Sequence, residues 1–193
     1  VPPAQFDLEV TAGDTDITDE TLYFSDNVTV SQGYRTLKAQ EVSIDRIEQT
    51  VVAQGPIEFR EPGIVMYGDT MNYDSLGERA VLANAEFAMY DQQLYGVADA
   101  IARDANGSLE IEDGSLTFCS PIDPSWVVTA ENLRVDSTTR IGEAWGARID
   151  VKGVPIAYLP WIQFPLDDQR KTGFLFPDVS SDTRGCVDIT VPI

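Results

Sequence analysis

The feature that most constrains this chain is a pattern of small and apolar residues that recurs about every 30 residues. One half of the pattern is small-x-apolar-x-apolar, as in the sequence GPIEF at 55–59, and it begins at Asp26, Gly55, Ala85, Gly114 and Ala147. The other half is small-x-x-apolar-x-x-Asp, and it begins at Ala39, Gly68, Ala98 and Ala130. Two patterns that advance together predict a stack of similar structural units.

The residue pattern within each unit is typical of β-strands. From residue 11 to 151, short alternating runs of Val, Ile, Leu, Phe and Tyr are broken by Gly, Asp and Asn, and no long run has a helical period. Turn residues at 74–77, 104–107 and 136–139 divide each unit into two strands. Because one two-stranded unit cannot bury its own apolar face, the units must stack. The sequence therefore predicts an all-β fold built from two-strand repeats.

Stacking would align the apolar positions of successive units into a trough, since alternate residues of a strand share a face. One wall is predicted to carry Val28, Val30, Ile57, Phe59, Phe87, Met89, Leu116, Phe118, Ile149 and Val151. The other is predicted to carry Val42, Ile44, Met71, Tyr73, Ile101, Trp126, Val128, Leu133 and Val135. In most β-sandwiches such a trough is a closed core, and alternation alone does not distinguish a core from an open slot.

A proline-rich stretch at 153–177 interrupts this strand-like pattern. Proline cannot donate to a sheet ladder and disfavours a helical conformation in the residue before it. The stretch is therefore predicted to be an extended, kinked connector that carries Tyr158, Trp161, Phe164, Phe174 and Phe176. After it, apolar residues alternate from Cys186 to Ile193, which is typical of the start of a strand in a membrane barrel.

Composition excludes several functional classes. The net charge is -19, with 13 basic and 32 acidic residues, which argues against binding to nucleic acid or to an anionic membrane surface. There is no histidine, so catalysis that depends on a Ser-His or Cys-His pair is ruled out. The acidic residues Asp14, Asp16, Asp19 and Glu20 are interpreted as a solvated turn and not as a metal site. The adjacent pair Asp167 and Asp168 is likewise interpreted as part of a charged turn and not as a catalytic pair. We expect no enzymatic activity, no metal and no cofactor.

Two further segments resemble a known family. They are LTFC at 116–119 followed by PSW at 124–126 and AENL at 130–133, and GVPIAYLPW at 153–161 followed by FP at 164–165 and RKTGFLFP at 170–177. These segments are similar to the end of the periplasmic domain of the LptD family, outer-membrane proteins of lipopolysaccharide assembly. The repeat before them resembles the OstA-type β-jellyroll that this family shares with LptA and LptC.

The resemblance implies an architecture in three parts. Residues 1–152 would form a periplasmic β-jellyroll with an open, V-shaped apolar groove. Residues 153–177 would connect it to an outer-membrane β-barrel, whose truncated first strand would lie in 178–193. Two cysteines leave the pairing open from the sequence alone. The resemblance implies that Cys119 pairs with a barrel cysteine outside this chain, and Cys186 has no expected counterpart.

The resemblance also implies a function, which is the transport of lipopolysaccharide from LptA to the outer membrane, with this part facing the periplasm. The expected acyl-chain groove is lined by Val28, Ile44, Ile57, Phe59, Met71, Tyr73, Phe87, Met89, Ile101, Leu116, Phe118, Trp126, Leu133 and Ile149. The expected junction to the barrel consists of Pro155, Tyr158, Pro160, Trp161, Phe164 and Pro165.

Two partners are implied. LptA would add a strand at an open edge near 21–30, and LptE would bind through the barrel that this chain lacks. The alternative interpretation is a structural or interaction module with a closed core and no lipid slot.

Overall fold

The structure is a computed structural model and describes residues 7, 9–90, 93–117, 119–136, 138–139, 141–165, 178–181 and 187–190. The strands are β1 (Glu9–Thr11), β2 (Asp14–Ile17), β3 (Thr21–Gln32), β4 (Arg35–Asp45), β5 (Thr50–Glu61), β6 (Ile64–Asp74), β7 (Arg79–Met89), β8 (Leu94–Arg103), β9 (Leu109–Thr117), β10 (Trp126–Asp136), β11 (Ile141–Val151), β12 (Val154–Pro165), β13 (Asp178–Ser181) and β14 (Val187–Thr190). Over these residues no helix has the length and apolar character needed to cross a membrane.

Strands β1 to β12 form one antiparallel sheet. From β3 onward each strand pairs with its neighbours along the chain, so the sheet is a meander of long hairpins. The short strands β1 and β2 both pair with β3 and together form the first edge, while β12 forms the other edge. The strands described do not close into a barrel. The prediction of an open all-β fold with two strands per repeat is confirmed.

The long strands are interrupted near their middles, where the first half of each repeat begins. On alternate strands a residue there has a positive φ, with examples of 91° at Gly55, 50° at Asn84, 44° at Asp113 and 61° at Gly146. The ladders β3–β4, β4–β5 and β5–β6 shift register at the same level. Because a bulge leaves a residue unpaired and bends its strand, these interruptions divide the sheet into two halves. We call the half containing 28–32 of β3 wall 1, and the half containing 21–25 wall 2.

The aspartate that ends the second half of the repeat closes a turn. The Asp45 carboxylate accepts hydrogen bonds from the amides of Ile47 and Glu48, both at 2.8 Å. Asp74 does the same for the amides two and three residues on, at 2.9 and 3.2 Å, and Asp136 does so at 2.8 and 3.1 Å. An Asx turn of this kind satisfies amides that leave the ladder. The repeat therefore encodes where each strand stops.

Two expectations about the sheet edges are wrong. The first half of the proline-rich stretch is not a connector outside the sheet, because residues 154–165 form β12 and pair with β11. The sheet thus continues past the expected boundary at 152, and prolines are tolerated because β12 is an edge strand. At the other end, the expected open edge at 21–30 is covered by β1 and β2, so the edge lies at 9–17.

The remaining strands form a separate small ladder. Strand β13 pairs antiparallel with β14, with Asp178 opposite Thr190 and Ser181 opposite Val187. The rest of the expected barrel segment, including Cys186, and the second half of the expected connector lie outside the described residues.

Candidate functional site: the groove between the two walls

The inner face of wall 1 carries an unbroken row of registered residues without charge. From the first edge to the last, the wall 1 row is Val10, Val30, Leu37, Phe59, Met66, Phe87, Gly96, Leu116, Val128, Ile149 and Ala157. Each member is the Cα partner of the next, and directly opposed Cβ atoms lie about 5 Å apart. The row therefore gives a continuous apolar path across the sheet.

Wall 2 carries a second row on the same face. The wall 2 row is Phe24, Val42, Ala53, Met71, Leu82, Ile101, Ile111, Leu133, Ala144 and Ile162. Residues of both walls belong to the same hydrophobic cluster, in which Val28 is 1% exposed and Val42 is 2% exposed. A single flat sheet cannot cover its own face to this extent. We conclude that the two walls fold toward each other and cover their shared inner face.

The groove is deepest at the bend and opens toward the ends of the strands. Ile57 lies next to the bend and is 2% exposed, whereas Phe59, two residues further along the same face, is only half-buried. Burial falls in the same way on wall 2, where Val42 is fully buried and Ile44, two residues further from the bend, is half-buried. Tyr73, at the same level as Ile44, is exposed. Two walls that touch at the bend and separate at the strand ends have the cross-section of a V.

Small residues allow the walls to approach at the bend. Ala39, Ala85, Ala98, Ala130 and Ala147 are all buried there. A Cβ added to Gly68 would lie 2.6 Å from Cδ1 of Leu82, so a larger residue would push the neighbouring strand away. The small residue that begins each half of the repeat is therefore explained by close packing at the bottom of the groove.

Every predicted groove residue that the structure describes lies on this inner face by register, while Phe118 lies outside the described residues. The assignment of Trp126 and Val128 to the wall with Val42 is wrong. Val128 lies between Leu116 and Ile149, and Trp126 lies opposite Val151, which places both in wall 1. The error arose because both residues precede Ala130, the small residue at the bend of β10, and so lie in the half of the strand that belongs to wall 1.

The sequence interpretation missed about half of each row. Leu37, Met66, Leu82 and Ile111 line the groove from strand halves that carry no distinctive repeat motif. Their alternation is visible in the sequence, but the bulge at each bend shifts its phase by one residue. Only the paired register shows which members of each alternating run face inward.

Charged side chains concentrate on the outer face. Glu58 forms ion pairs with Arg60 and, at 3.3 Å, with Lys38 on the neighbouring strand. The hydrogen bond from Arg60, followed by that from Lys38, holds the pKa of the Glu58 carboxyl below its usual value. Arg60 also donates a 3.3 Å hydrogen bond to the Tyr67 hydroxyl. The sheet is thus polar outside and apolar inside.

Two tryptophans face each other on the outer side of the last hairpin. Trp145 and Trp161 are Cα partners, and Tyr158 lies on the same face opposite Arg148. Trp161 is 52% exposed and Tyr158 is 62% exposed. The expected junction residues that the structure describes therefore lie along β12, where no residue carries a charge. The side chains of Phe164 and Pro165 are outside the description.

Cys119 follows β9 and is fully buried and disulfide-bonded. Its amide donates a 3.1 Å hydrogen bond to the hydroxyl of Thr117, which donates in turn to the carbonyl of Trp126 at 2.7 Å. These bonds fix the loop between β9 and β10. The partner of Cys119 is not among the described residues, so the expected pairing with a barrel cysteine outside this chain stays a prediction. In the part of the chain described, no group of three or more acidic or cysteine side chains is placed to hold a metal ion.

This geometry defines a class of protein, in which one open antiparallel sheet is bent into an apolar groove. A family profile described as "LptA/(LptD N-terminal domain) LPS transport protein" matches residues 9–141. The chain belongs to this family.

Similar proteins share most of the chain. It is 33% identical over 191 residues to the LPS-assembly protein LptD of Saccharophagus degradans, a match that covers 98% of the chain and 22% of that protein. It is 32% identical over 170 residues to the protein of the same name from Shewanella denitrificans, covering 88% and 22%. The chain thus spans about a fifth of the length of these relatives.

A solved structure also matches. It is LptH of Pseudomonas aeruginosa, described as the LptA-homologous periplasmic component of a lipopolysaccharide transport device. The sequence identity is 20% and the TM-score is 0.45, with 52% of this chain and 77% of LptH covered.

Proposed function

We propose that this chain is the periplasmic slide of an LptD translocon and that its groove holds the acyl chains of lipopolysaccharide. The observation that carries the proposal is the pair of registered apolar rows, which run from one sheet edge to the other and open outward from the bend. The family supplies the context, because its description is that of LPS transport proteins.

The groove can hold a lipid without forming or breaking covalent bonds. Burial of a methylene contributes ~0.8 kcal/mol, so an acyl chain of ordinary length is held by apolar contact alone. Successive units present similar residues, so moving a lipid from one unit to the next is nearly isoenergetic, and the direction of transport is supplied elsewhere. The proposal contains no catalytic step and no cofactor.

The alternative is a structural module in which the same face is a closed core. An open groove and a closed core differ in how deeply the side chains near the rims are buried. A closed core would bury Phe59, Met89 and Ile44 as fully as Ile57, whereas these three side chains remain half-buried. Their partial exposure favours an open groove.

Photo-crosslinking tests the proposal. A photoreactive residue is placed at Phe59 or Met89 on the inner face, and at Lys38 or Glu86 on the outer face as matched controls. Phe87 is a poorer position because it is only 4% exposed and its replacement would disturb the packing. Each folded variant is irradiated with purified lipopolysaccharide. Adducts at the inner positions alone support the groove, while equal labelling of both faces, or none at either, rejects it.

The first edge of the sheet is the proposed docking site for LptA. Strands β1 and β2 leave their outer sides unpaired among the described strands, and an open edge invites strand addition. Strand β12 is protected by Pro155 and Pro160, which lack amide hydrogens. A crosslinker at Thr15 should therefore capture LptA, whereas one at Ile156 should not. Capture at Ile156 with none at Thr15 would place the partner on the wrong edge for this proposal.

The last hairpin is proposed to lead to the outer-membrane barrel. Tryptophan and tyrosine favour the interface between headgroups and acyl chains, and Trp145, Tyr158 and Trp161 form an exposed outer patch beside the uncharged β12. Placing this patch against the periplasmic leaflet would orient the end of the groove toward the membrane. Binding of LptE would occur through the barrel, which the described residues do not include.

A further inference from the structure

One cation with no ion-pair partner among the described residues lies on the rim of the inner face, whose two central rows carry no charge. The outermost registered row of wall 2, the rim row, is Leu22, Ile44, Val51, Tyr73, Ala80, Arg103, Leu109, Val135, Gly142 and Phe164. Arg103 is its single charged member. It pairs with Ala80 on one side and Leu109 on the other, so its registered neighbours are apolar.

Arg103 has no counter-ion within the described part of the chain. The carboxylates of Asp104 and Glu110 are already engaged, because Arg79 binds them at 3.2 and 3.1 Å on the outer face. On the rim of wall 1, Arg35 is paired with Glu61 at 2.9 Å. Arg103 is also exposed, so its guanidinium is available to a ligand.

The surrounding charge makes this arrangement unusual. Residues 1–133 contain 24 acidic and six basic residues, so the field around the groove repels anions. An amphiphile with an anionic head group needs a local cation if its alkyl chains are to enter the groove. The geometry points to Arg103 as that cation. We propose that Arg103 binds a phosphate of the head group of the lipid whose acyl chains lie in the groove, which rests on the function proposed above.

The distances suit such a ligand. Arg103 follows Ile101, a buried member of the wall 2 row, by two residues on the same face, a separation of about 7 Å along a strand. An acyl chain that contacts Ile101 would therefore place its head group near Arg103. Tyr73 lies two strands away in the rim row, about 10 Å from Arg103, and its hydroxyl can donate a second hydrogen bond to a broad head group.

Binding of lipid A by the 193-residue chain tests the proposal. The ligands are bis-phosphorylated lipid A, the same lipid with its phosphates removed, and inorganic phosphate as a competitor. Arg103→Gln should weaken binding of the phosphorylated lipid about fivefold, as expected for an exposed charge pair, and leave binding of the dephosphorylated lipid unchanged. Arg103→Lys should retain most of the affinity. Arg134→Gln is the matched control, because Arg134 is exposed on the outer face of β10 next to the inward-facing Leu133.

The outcomes separate this inference from the proposed function. If the unaltered chain binds neither form of lipid A, the groove proposal itself fails. If it binds both forms and Arg103→Gln lowers both affinities equally, or neither, the groove proposal stands and the phosphate site is rejected. Effective competition by millimolar inorganic phosphate at Arg103, without any preference for the phosphorylated lipid, would assign the site to free phosphate and reject its role in head-group recognition.

Discussion

The ring of Phe87 lies over Gly96, its Cα partner on the neighbouring strand. A Cβ at Gly96 would overlap the ring at Cζ and would also overlap the carbonyl oxygen of Ser115 on the next strand. Glycine therefore provides the space in which the Phe87 ring packs, 4% exposed, at the centre of the wall 1 row. The position of the Phe87 ring therefore depends on the absence of a side chain at Gly96 on the neighbouring strand.

Gly96→Ala should destabilise the protein by about 1–3 kcal/mol, the usual cost of adding a methyl group to a packed site. The measurement is the free energy of unfolding in urea. The double variant Phe87→Leu/Gly96→Ala is the control, since a smaller partner leaves room for the new methyl group. Its loss of stability should be less than the sum of the two single losses. Strict additivity would show that Phe87 does not restrain position 96.

Ile57 and Ile122 provide a test of where the groove is closed. Ile57 lies beside the bend and is 2% exposed, whereas Ile122 is 93% exposed in the loop before β10. Ile57→Ala should cost about 2–5 kcal/mol because it leaves a cavity, and Ile122→Ala should change stability by less than about 0.5 kcal/mol. Thermal or urea unfolding of the two variants measures the difference. Equal effects would mean that the walls do not meet at the bend.

The repeat predicted the fold because each of its residues has a local physical role. The small residue permits close packing at the bend, the apolar residues face inward, and the aspartate closes the turn. These are properties of short segments, so a single sequence displays them. The turn aspartates Asp45, Asp74 and Asp136 are the clearest case, since each accepts two amide hydrogen bonds.

Two features could not be predicted from the sequence in this way: which residues of each alternating run face inward, and which strands form the edges of the sheet. A bulge changes which residues face inward, and only pairing with the next strand reveals it. The position of the bend within a strand also decides which wall a residue belongs to, as the misassignment of Trp126 shows. The strand β12 was missed because proline argues against a central strand, and its edge position is a fact of topology. Arg103 was also missed, because the significance of its charge depends on which face it occupies.

Asp136 should make stability depend on acidic pH. Hydrogen bonds from the backbone amides of Thr139 and Thr138 hold the pKa of its carboxyl below its ordinary value of 3.8. A depressed pKa means that the folded state favours the charged form, so the stabilisation is fully present above the ordinary pKa and is lost as pH falls through the folded-state value. Asp136→Asn should thus be less stable than the unaltered chain at pH 7, and the difference should vanish at strongly acidic pH.

Urea unfolding from pH 7 to pH 2 measures this difference, and NMR titration of the Asp136 carboxyl gives its pKa directly. Glu78→Gln is a suitable control, because Glu78 is an exposed carboxylate in another hairpin turn. A gap between Asp136→Asn and the unaltered chain that widens as the pH falls would contradict the assignment, since it would require the folded state to prefer the protonated carboxyl.

Trp161 and Trp145 should determine whether the chain associates with a lipid surface. Their rings are partly exposed on one face, and the strand that carries Trp161 has no charge to oppose contact with headgroups. Trp161→Ser and Trp145→Ser should each lower partitioning onto zwitterionic phosphatidylcholine vesicles several-fold, and the double variant should lower it further. Ile17→Ser is the matched control, because Ile17 is 63% exposed at the opposite edge of the sheet. Co-flotation with vesicles measures partitioning. Quenching of tryptophan fluorescence by brominated acyl chains reports contact with the interface, and it should be lost in the double variant, which keeps only Trp126. If Ile17→Ser reduces flotation as much as Trp161→Ser does, the contact with lipid is a general property of exposed apolar residues, and the last hairpin has no special orientation toward the membrane.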